Sequence, residues 1–384
     1  MERTRVACRV GVGLSTVPRT AAGVGEAAQA AADGCGAPVD LAFVFLSAVH
    51  ADDVEDALAR VDEILEPSCL VGCVAEGVVG GGREVEEGPG AAVWAASLPG
   101  ARVEAFHSVA LDADDGVAIA GFPDVESAAL VAMLADPYSF PTGPFLARLN
   151  EERPGVPLVG GLVGGEAGGA SLLIGSEAHS EGAVGVVVSG VAVETVVSQG
   201  CAPIGRDAVI TSAEENVVFE LAGEPALDRL RAELASLTPE QRTVAAGGIL
   251  AGLVIDENRA EYRRGDYLMR AILGVQQESG ALVIGERVRV GQTLRFHVRD
   301  ARSAGDDLRE ALAAVRGEPA GALLFTCNGR GTRMFEEPDH DARLVREALG
   351  DVPVAGFFCG GEIGPVGARS FLHGFTATLA VFSA

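Results

Sequence analysis

The chain has 384 residues, with 29 arginines, 54 acidic residues and no lysine, giving a net charge of −25 at pH 7. Without lysine there is no Schiff-base chemistry, no P-loop lysine and no Ser-Lys pair, so cationic recognition falls to the planar Arg fork, which suits carboxylate and phosphate. The acidic balance and the lack of a basic tract argue against nucleic acid or an anionic membrane as partner.

The N-terminal MERTRVACRVGVGLST alternates like a strand and lacks the apolar run of a signal peptide. No window approaches 18 uncharged apolar residues, so no membrane-spanning helix is expected, and the localisation expected is cytoplasmic. Seven cysteines form an odd set without CxxC, and Cys69 and Cys73, four apart in an apolar run, are poorly spaced for zinc. Buried thiols are expected, with no metal and no cofactor.

An internal repeat organises the chain. An apolar strand at 41–47 is followed by a helix at 52–66, in which Val54, Leu58, Val61 and Leu65 share one face. A second strand at 69–77 enters a glycine-rich turn, and a third at 90–98 closes the unit. The same order returns at 129–135, 142–154, 157–165 and 182–190. Leu41 and Ala129 are 88 residues apart, as are Gly72 and Gly160. Strands then follow at 191–205, 208–213 and 216–221. Pro225 opens a helix carrying Leu227, Leu230, Leu234 and Leu237, proline being tolerated at a helix start. Further strands are predicted at 247–256, 268–276, 281–290 and 293–300, with a helix near 303–316. A third copy closes the chain at 322–328, 339–350, 353–365 and 374–382.

The fold class expected is α/β, with mixed sheets built from repeated β-α-β-β units in two pseudo-symmetric parts. A boundary in the 190–225 region gives domains of 1–215 and 216–384. Arginine is concentrated late: residues 1–200 carry 9 Arg against 28 acids, and 201–384 carry 20 against 26. Anion recognition is therefore expected in the C-terminal half.

Three features there carry candidate chemistry. Alternation in TLRFHVRD puts Arg295, His297 and Arg299 on one face; with Arg287 and Arg289 on the preceding strand they form a cationic surface for a carboxylate or phosphate, or else a solvated face paired to local acids. TCNGRG at 326–331 follows a strand, where ligands of open α/β sheets usually sit; Cys327, Asn328, Gly329, Arg330 and Gly331 offer a thiol, donors and close backbone approach, and a plain strand-to-helix turn is the alternative. Glu362 lies in the glycine-rich turn of the last copy, with Glu76 and Glu166 near the same place in the others, as either an inherited structural hydrogen bond or a binding group. No GxSxG, HExxH or complete GxGxxG is present. A Cys327 nucleophile with His340 or His373 as base is the enzymatic alternative, and the acids of the 339–341 DHD run are expected to serve a helix N-terminus.

These segments together resemble the FIST family, named for F-box and intracellular signal transduction, over essentially the whole chain. LAFVFLSA, LVGCVAEGVVGGGREVEEG, VPLVGGLVGG and VSQGCAPIG suggest the N-terminal part; RGDYLMRAILGV, GQTLRFHVRDA, FTCNGRG, VAGFFCGGEIGPV and FLHGFTATLAVF suggest the C-terminal part. The resemblance implies an intracellular sensory protein that binds a small molecule, with amino acids among the ligands expected. No F-box-like, kinase, cyclase or DNA-binding segment accompanies these motifs, so signal output would fall to a partner protein in trans; a non-catalytic scaffold is a further alternative. In the resulting binding hypothesis Arg330 pairs a ligand carboxylate, Asn328 with the Gly329 and Gly331 backbone orients it, Glu362 receives an ammonium group and His373 lines the wall.

Overall fold

The computed structural model describes residues 7–113, 116–164 and 171–384. By contact the chain divides into two compact units, one formed by 1–197, 308–372 and 376–384, the other by 198–307 with 373–375.

In the first unit all three repeat copies are present with one topology. In copy one Leu41–Ser47 pairs parallel with Cys69–Ala75 and antiparallel with the closing strand Ala91–Ser97. Copy two repeats this with Leu130–Ala135, Leu158–Val163 and Ala183–Ser189, and copy three with Pro319–Cys327, Val354–Val366 and Thr376–Ser383. Each closing strand thus flanks the first strand on the side away from the second. The copies share a glycine for a steric reason: a Cβ on Gly72, Gly160 or Gly356 would collide with the carbonyl oxygen of Val44, Met133 or Leu324 on the neighbouring first strand. Only glycine permits that approach.

Among the described residues, copy one forms a six-stranded sheet extended by Arg9–Ser15, Leu172–Ile174 and Glu177–His179. Copies two and three share a second, larger sheet, joined where Leu158–Val163 runs antiparallel to Val354–Val366, with Gly161 opposite Glu362. The sheets pack face to face: Phe45 stacks on Phe357 at 5.6 Å between ring centroids, and Trp94 lies 5.2 Å from Phe382. Helices Thr20–Cys35 and Val54–Leu65 cover the outer face of the first sheet. Thr142–Glu152 and His340–Leu349 cover that of the second. Strands buried on both faces read as continuous apolar runs, and all seven residues of Leu41–Ser47 are buried.

One helix falls where the sequence reading assigned no element, and one strand is shorter than expected. Thr20–Cys35 is a helix of small residues, Ala and Gly for the most part, with little periodic contrast to mark it. The predicted 281–290 strand ends at Ile284; Arg287 lies beyond it, exposed and paired with Glu215 at 2.8 Å, so neither Arg287 nor Arg289 joins the cationic strand face.

The second unit is a closed antiparallel sheet. Its strands run in the order Cys201–Glu214, Thr293–Arg299, Ile249–Val254, Tyr267–Gln276, Ala281–Ile284 and Val217–Leu221, which pairs back to Cys201–Glu214. Leu253, Leu282, Leu294 and Phe296 fill the inside together with Leu227 and Leu230 of helix Ala226–Ala235. Period-two alternation turns the intervening side chains outward.

Candidate functional site

The TCNGRG turn is built as a structural clasp. Arg330 is fully buried, and its Nε and Nη2 donate to Asp341 Oδ2 and Oδ1, both at 2.7 Å. Thr326 Oγ1 donates to the same carboxylate at 2.7 Å, and His340 Nδ1 lies 2.9 Å from it. Burial opposes ionisation of Asp341, but the Arg330 guanidinium and these donors hold its carboxyl well below the usual range. Phe335 stacks on His340 at 3.4 Å and lies under Arg330. The guanidinium edge expected to take a ligand carboxylate is thus occupied by Asp341, an acid expected to serve the helix N-terminus. Removing one member of such a buried pair costs about 3–5 kcal/mol, because the other charge is stranded.

The remaining candidates divide between the two units. The Asn328 N–H donates to the Cys359 carbonyl at 2.8 Å, and Gly331 adopts a left-handed conformation. Cys327 is buried, and the Gly329 N–H donates to its Sγ at 3.4 Å. Glu362 is fully buried; its Oε2 accepts the Thr376 N–H at 3.0 Å and Oγ1–H at 2.7 Å. Burial raises the Glu362 carboxyl to about 7, moderated by the Thr376 bonds, by Cys327 and by Arg330. His373 is buried and belongs to the second unit. Matching the shared glycines sets Glu76 level with Gly360, two residues short of Glu362; Glu76 is half-exposed and paired with Arg333 at 3.7 Å. Glu166 lies outside the described residues.

One further acid takes part that no sequence pattern marks. Glu84 Oε1 accepts the Ala342 N–H at 2.8 Å, serving the first turn of helix His340–Leu349. Burial first, then the Asp341 charge, raises its carboxyl to about 8. Nothing local signals this role, because its partner is 258 residues away.

The second unit holds a cavity of about 220 Å³ lined by Gln199, Cys201, Pro203, Tyr262, Arg263, Arg264, Tyr267, Met269, Arg295 and His297. Antiparallel registers put His297 opposite Pro203 and Leu250, and Gly252 opposite both Arg295 and Met269, on one outward face. A Cβ on Gly252 would lie 2.5 Å from His297 Cε1, so this glycine leaves room for the imidazole. Arg295 Nη2 donates to the Gly205 carbonyl at 2.8 Å, while its buried Nε has no partner among the described residues. His297 Nδ1 lies 3.1 Å from the Arg295 carbonyl, and burial lowers the imidazole to about 4, so it is neutral at pH 7. Tyr267 donates to Asp207 at 2.7 Å and meets His297 edge-on at 5.0 Å. Burial and that hydrogen bond push its phenol up. Arg263 and Arg264 are exposed, and Arg264 lies 3.6 Å from Asp307. The lining holds three arginines and no carboxylate. Alternation isolates Arg295 and His297 in the sequence; Tyr262, Arg263 and Arg264 come from an irregular loop with no periodic signal.

The family model for the FIST N domain matches residues 40–224, and that for the FIST C domain matches 226–365. The chain belongs to the FIST family. FIST domains are associated with sensory functions in signal transduction. Similar FIST-length relatives include Rv0628c, an uncharacterized protein of Mycobacterium tuberculosis strain H37Rv, 43% identical over 382 residues that cover 97% of this chain and 99% of the relative. Mb0898c, an uncharacterized protein of Mycobacterium bovis, is 41% identical over 97% of this chain and 98% of its own length. The FIST motifs VSQGCAPIG, RGDYLMRAILGV and GQTLRFHVRDA each supply residues to the cavity wall, namely Gln199, Cys201 and Pro203; Arg264, Tyr267 and Met269; and Arg295 and His297. No helix among the described residues is long and apolar enough to cross a membrane.

Proposed function

We propose that this FIST protein is a sensory protein that binds a small carboxylate metabolite in the cavity of its closed sheet. The observation that carries this reading is the convergence of three separate motif segments on a concave, part-aromatic wall with three arginines and no acid. At about 220 Å³ the cavity is below the roughly 300–1,000 Å³ of drug-sized sites, which fits a molecule of amino-acid size. Arg295 pairs the carboxylate, as a planar donor fork does best. Neutral His297 offers a hydrogen bond through Nε2, the hydroxyls of Tyr262 and Tyr267 donating to Glu257 and Asp207, and Met269 with Pro203 contacts the apolar part. Amino acids remain candidates through their carboxylates, but no lining residue pairs an ammonium, so the matching hydroxy or keto acid should bind at least as well. The signal passes to a partner protein once the occupied state is stabilised.

A thermal-shift screen of small carboxylates against their amides and amines tests this, since a ligand of the native state raises the melting temperature. The expected hit is a carboxylate whose shift disappears in Arg295→Gln at an unchanged unliganded melting temperature. A full shift in that variant would overturn the assignment.

A further inference from the structure

Around Cys327 the first unit assembles a second chemistry that does not depend on the metabolite reading. Cys327 ends Pro319–Cys327 and is in register with Cys359 on the parallel neighbour Val354–Val366. Register partners on adjacent strands project to the same face, and strands run about 4.7–4.9 Å apart, within the roughly 4.4–6.8 Å Cα window of a disulfide. None of the seven cysteines is in a disulfide. The Gly329 N–H donates to Cys327 Sγ at 3.4 Å, the Cys327 thiol lies near enough to the Glu362 carboxyl to favour its ionised form, and the Arg330 guanidinium acts on both. Two fully buried atoms here have no hydrogen-bond partner among the described residues, Arg330 Nη1 and Glu362 Oε1. A buried donor and a buried acceptor left unmade call for a small molecule able to serve both, and Cys327 keeps 8% of its surface exposed while Arg330, Cys359 and Glu362 keep none.

We propose that Cys327 is a hydroperoxide-reactive thiol, with Glu362 as its proton acceptor, Arg330 and the Gly329 N–H holding the thiolate, and Cys359 as the resolving thiol. A hydroperoxide fits because its two oxygens accept from Arg330 while its hydroxyl donates to Glu362. In the first step Glu362 takes the Cys327 proton and the thiolate attacks one peroxide oxygen. An S–O bond forms and the O–O bond breaks; the departing oxygen takes the proton back from Glu362 and leaves as alcohol or water. Sulfur is oxidised to a sulfenic acid as the peroxide is reduced. In the second step Cys359 attacks Cys327, an S–S bond forms, the S–O bond breaks, and the hydroxide leaves as water with the Cys359 proton. Overall, two thiols and one hydroperoxide give one disulfide, one alcohol and one water. Accessibility alone would select other thiols, since Cys8 and Cys69 are more exposed, but the orphaned Arg330 Nη1 and Glu362 Oε1 belong to the groups that act on Cys327; burial pushes the Cys359 thiol up as well, so it gives up its proton only as it attacks the sulfenic acid.

The reduced full-length protein is exposed to a few equivalents of hydrogen peroxide, quenched with iodoacetamide and mapped by peptide mass. The expected product links the peptides of Cys327 and Cys359, with Cys8 and Cys69 still alkylated. Cys359→Ser should accumulate a dimedone adduct at Cys327, and Glu362→Gln should slow the native rate by at least tenfold, within the range for loss of a positioned base. Oxidation of Cys327 no faster than that of Cys8 in the native protein would sink the proposal without any variant. A dimedone adduct on Cys327 in the unmutated chain, with no link to Cys359, would overturn the resolving role.

Discussion

Two buried carboxyls make the fold lose stability as pH rises. Glu362 and Glu84 have carboxyls raised to about 7 and about 8 by burial. A raised carboxyl pKa means that the folded state holds a proton which the unfolded chain releases near 4.5. Its contribution is therefore complete below about pH 4.5 and fades as pH rises through the folded value. For Glu362 the difference corresponds to about 3 kcal/mol once both states are ionised. Glu362→Gln, whose amide oxygen can still accept from Thr376, should unfold at a higher urea concentration than the native protein at pH 8.5 and show little advantage at pH 5. An equal difference at both pH values would mean that this carboxyl is not neutral in the fold. Arg330 teaches a separate lesson at this scale: the sequence marked it as a cation in a glycine-rich turn, and only the position of Asp341 decides that its fork holds the protein together.

At the scale of elements, each β-α-β-β unit was readable because its strands are apolar throughout, its helices carry one apolar stripe and its second strand holds a glycine. Leu41–Ser47 and Val54–Leu65 show those patterns within their own residues. Thr20–Cys35 was not readable, since alanine and glycine blur the contrast between faces. The Thr293–Arg299 strand revealed its cationic face by alternation, but not the loop that completes the cavity. Gly252 is decisive in that wall, because a side chain there would enter the space of His297. Gly252→Val should abolish the carboxylate-induced melting shift while the circular dichroism of the closed sheet persists. Retention of the shift with native affinity would remove His297 and Gly252 from the site.

For the whole molecule, charge is distributed by unit. Residues 198–307 carry 13 Arg against 17 acids, a net of −4, within a chain of net −25. An anionic ligand therefore meets long-range repulsion before it meets Arg295. Raising the ionic strength from about 0.01 to 0.15 M shortens the Debye length from about 30 to about 8 Å, so the association rate constant of a carboxylate hit, measured by stopped flow, should increase. A decrease would show that the local arginines guide its approach. The same uneven distribution of arginine was legible along the chain, and it pointed to the half that contains the cavity.

Composition and periodicity by themselves determined the features that depend only on neighbours along the chain: the absence of lysine chemistry, the three repeated units and the cationic face of Thr293–Arg299; the family followed from the resemblance of its motifs. Tertiary structure alone decided which arginine turns its bidentate edge on a protein carboxylate and which does not, because pairing depends on what the fold brings within about 3 Å of each guanidinium. Asp341 reaches Arg330 from the first turn of a helix, whereas Arg295 gives one donor to a backbone carbonyl and keeps its Nε unpaired. No local pattern separates those two environments, since the difference lies in desolvation and in partners contributed by other segments.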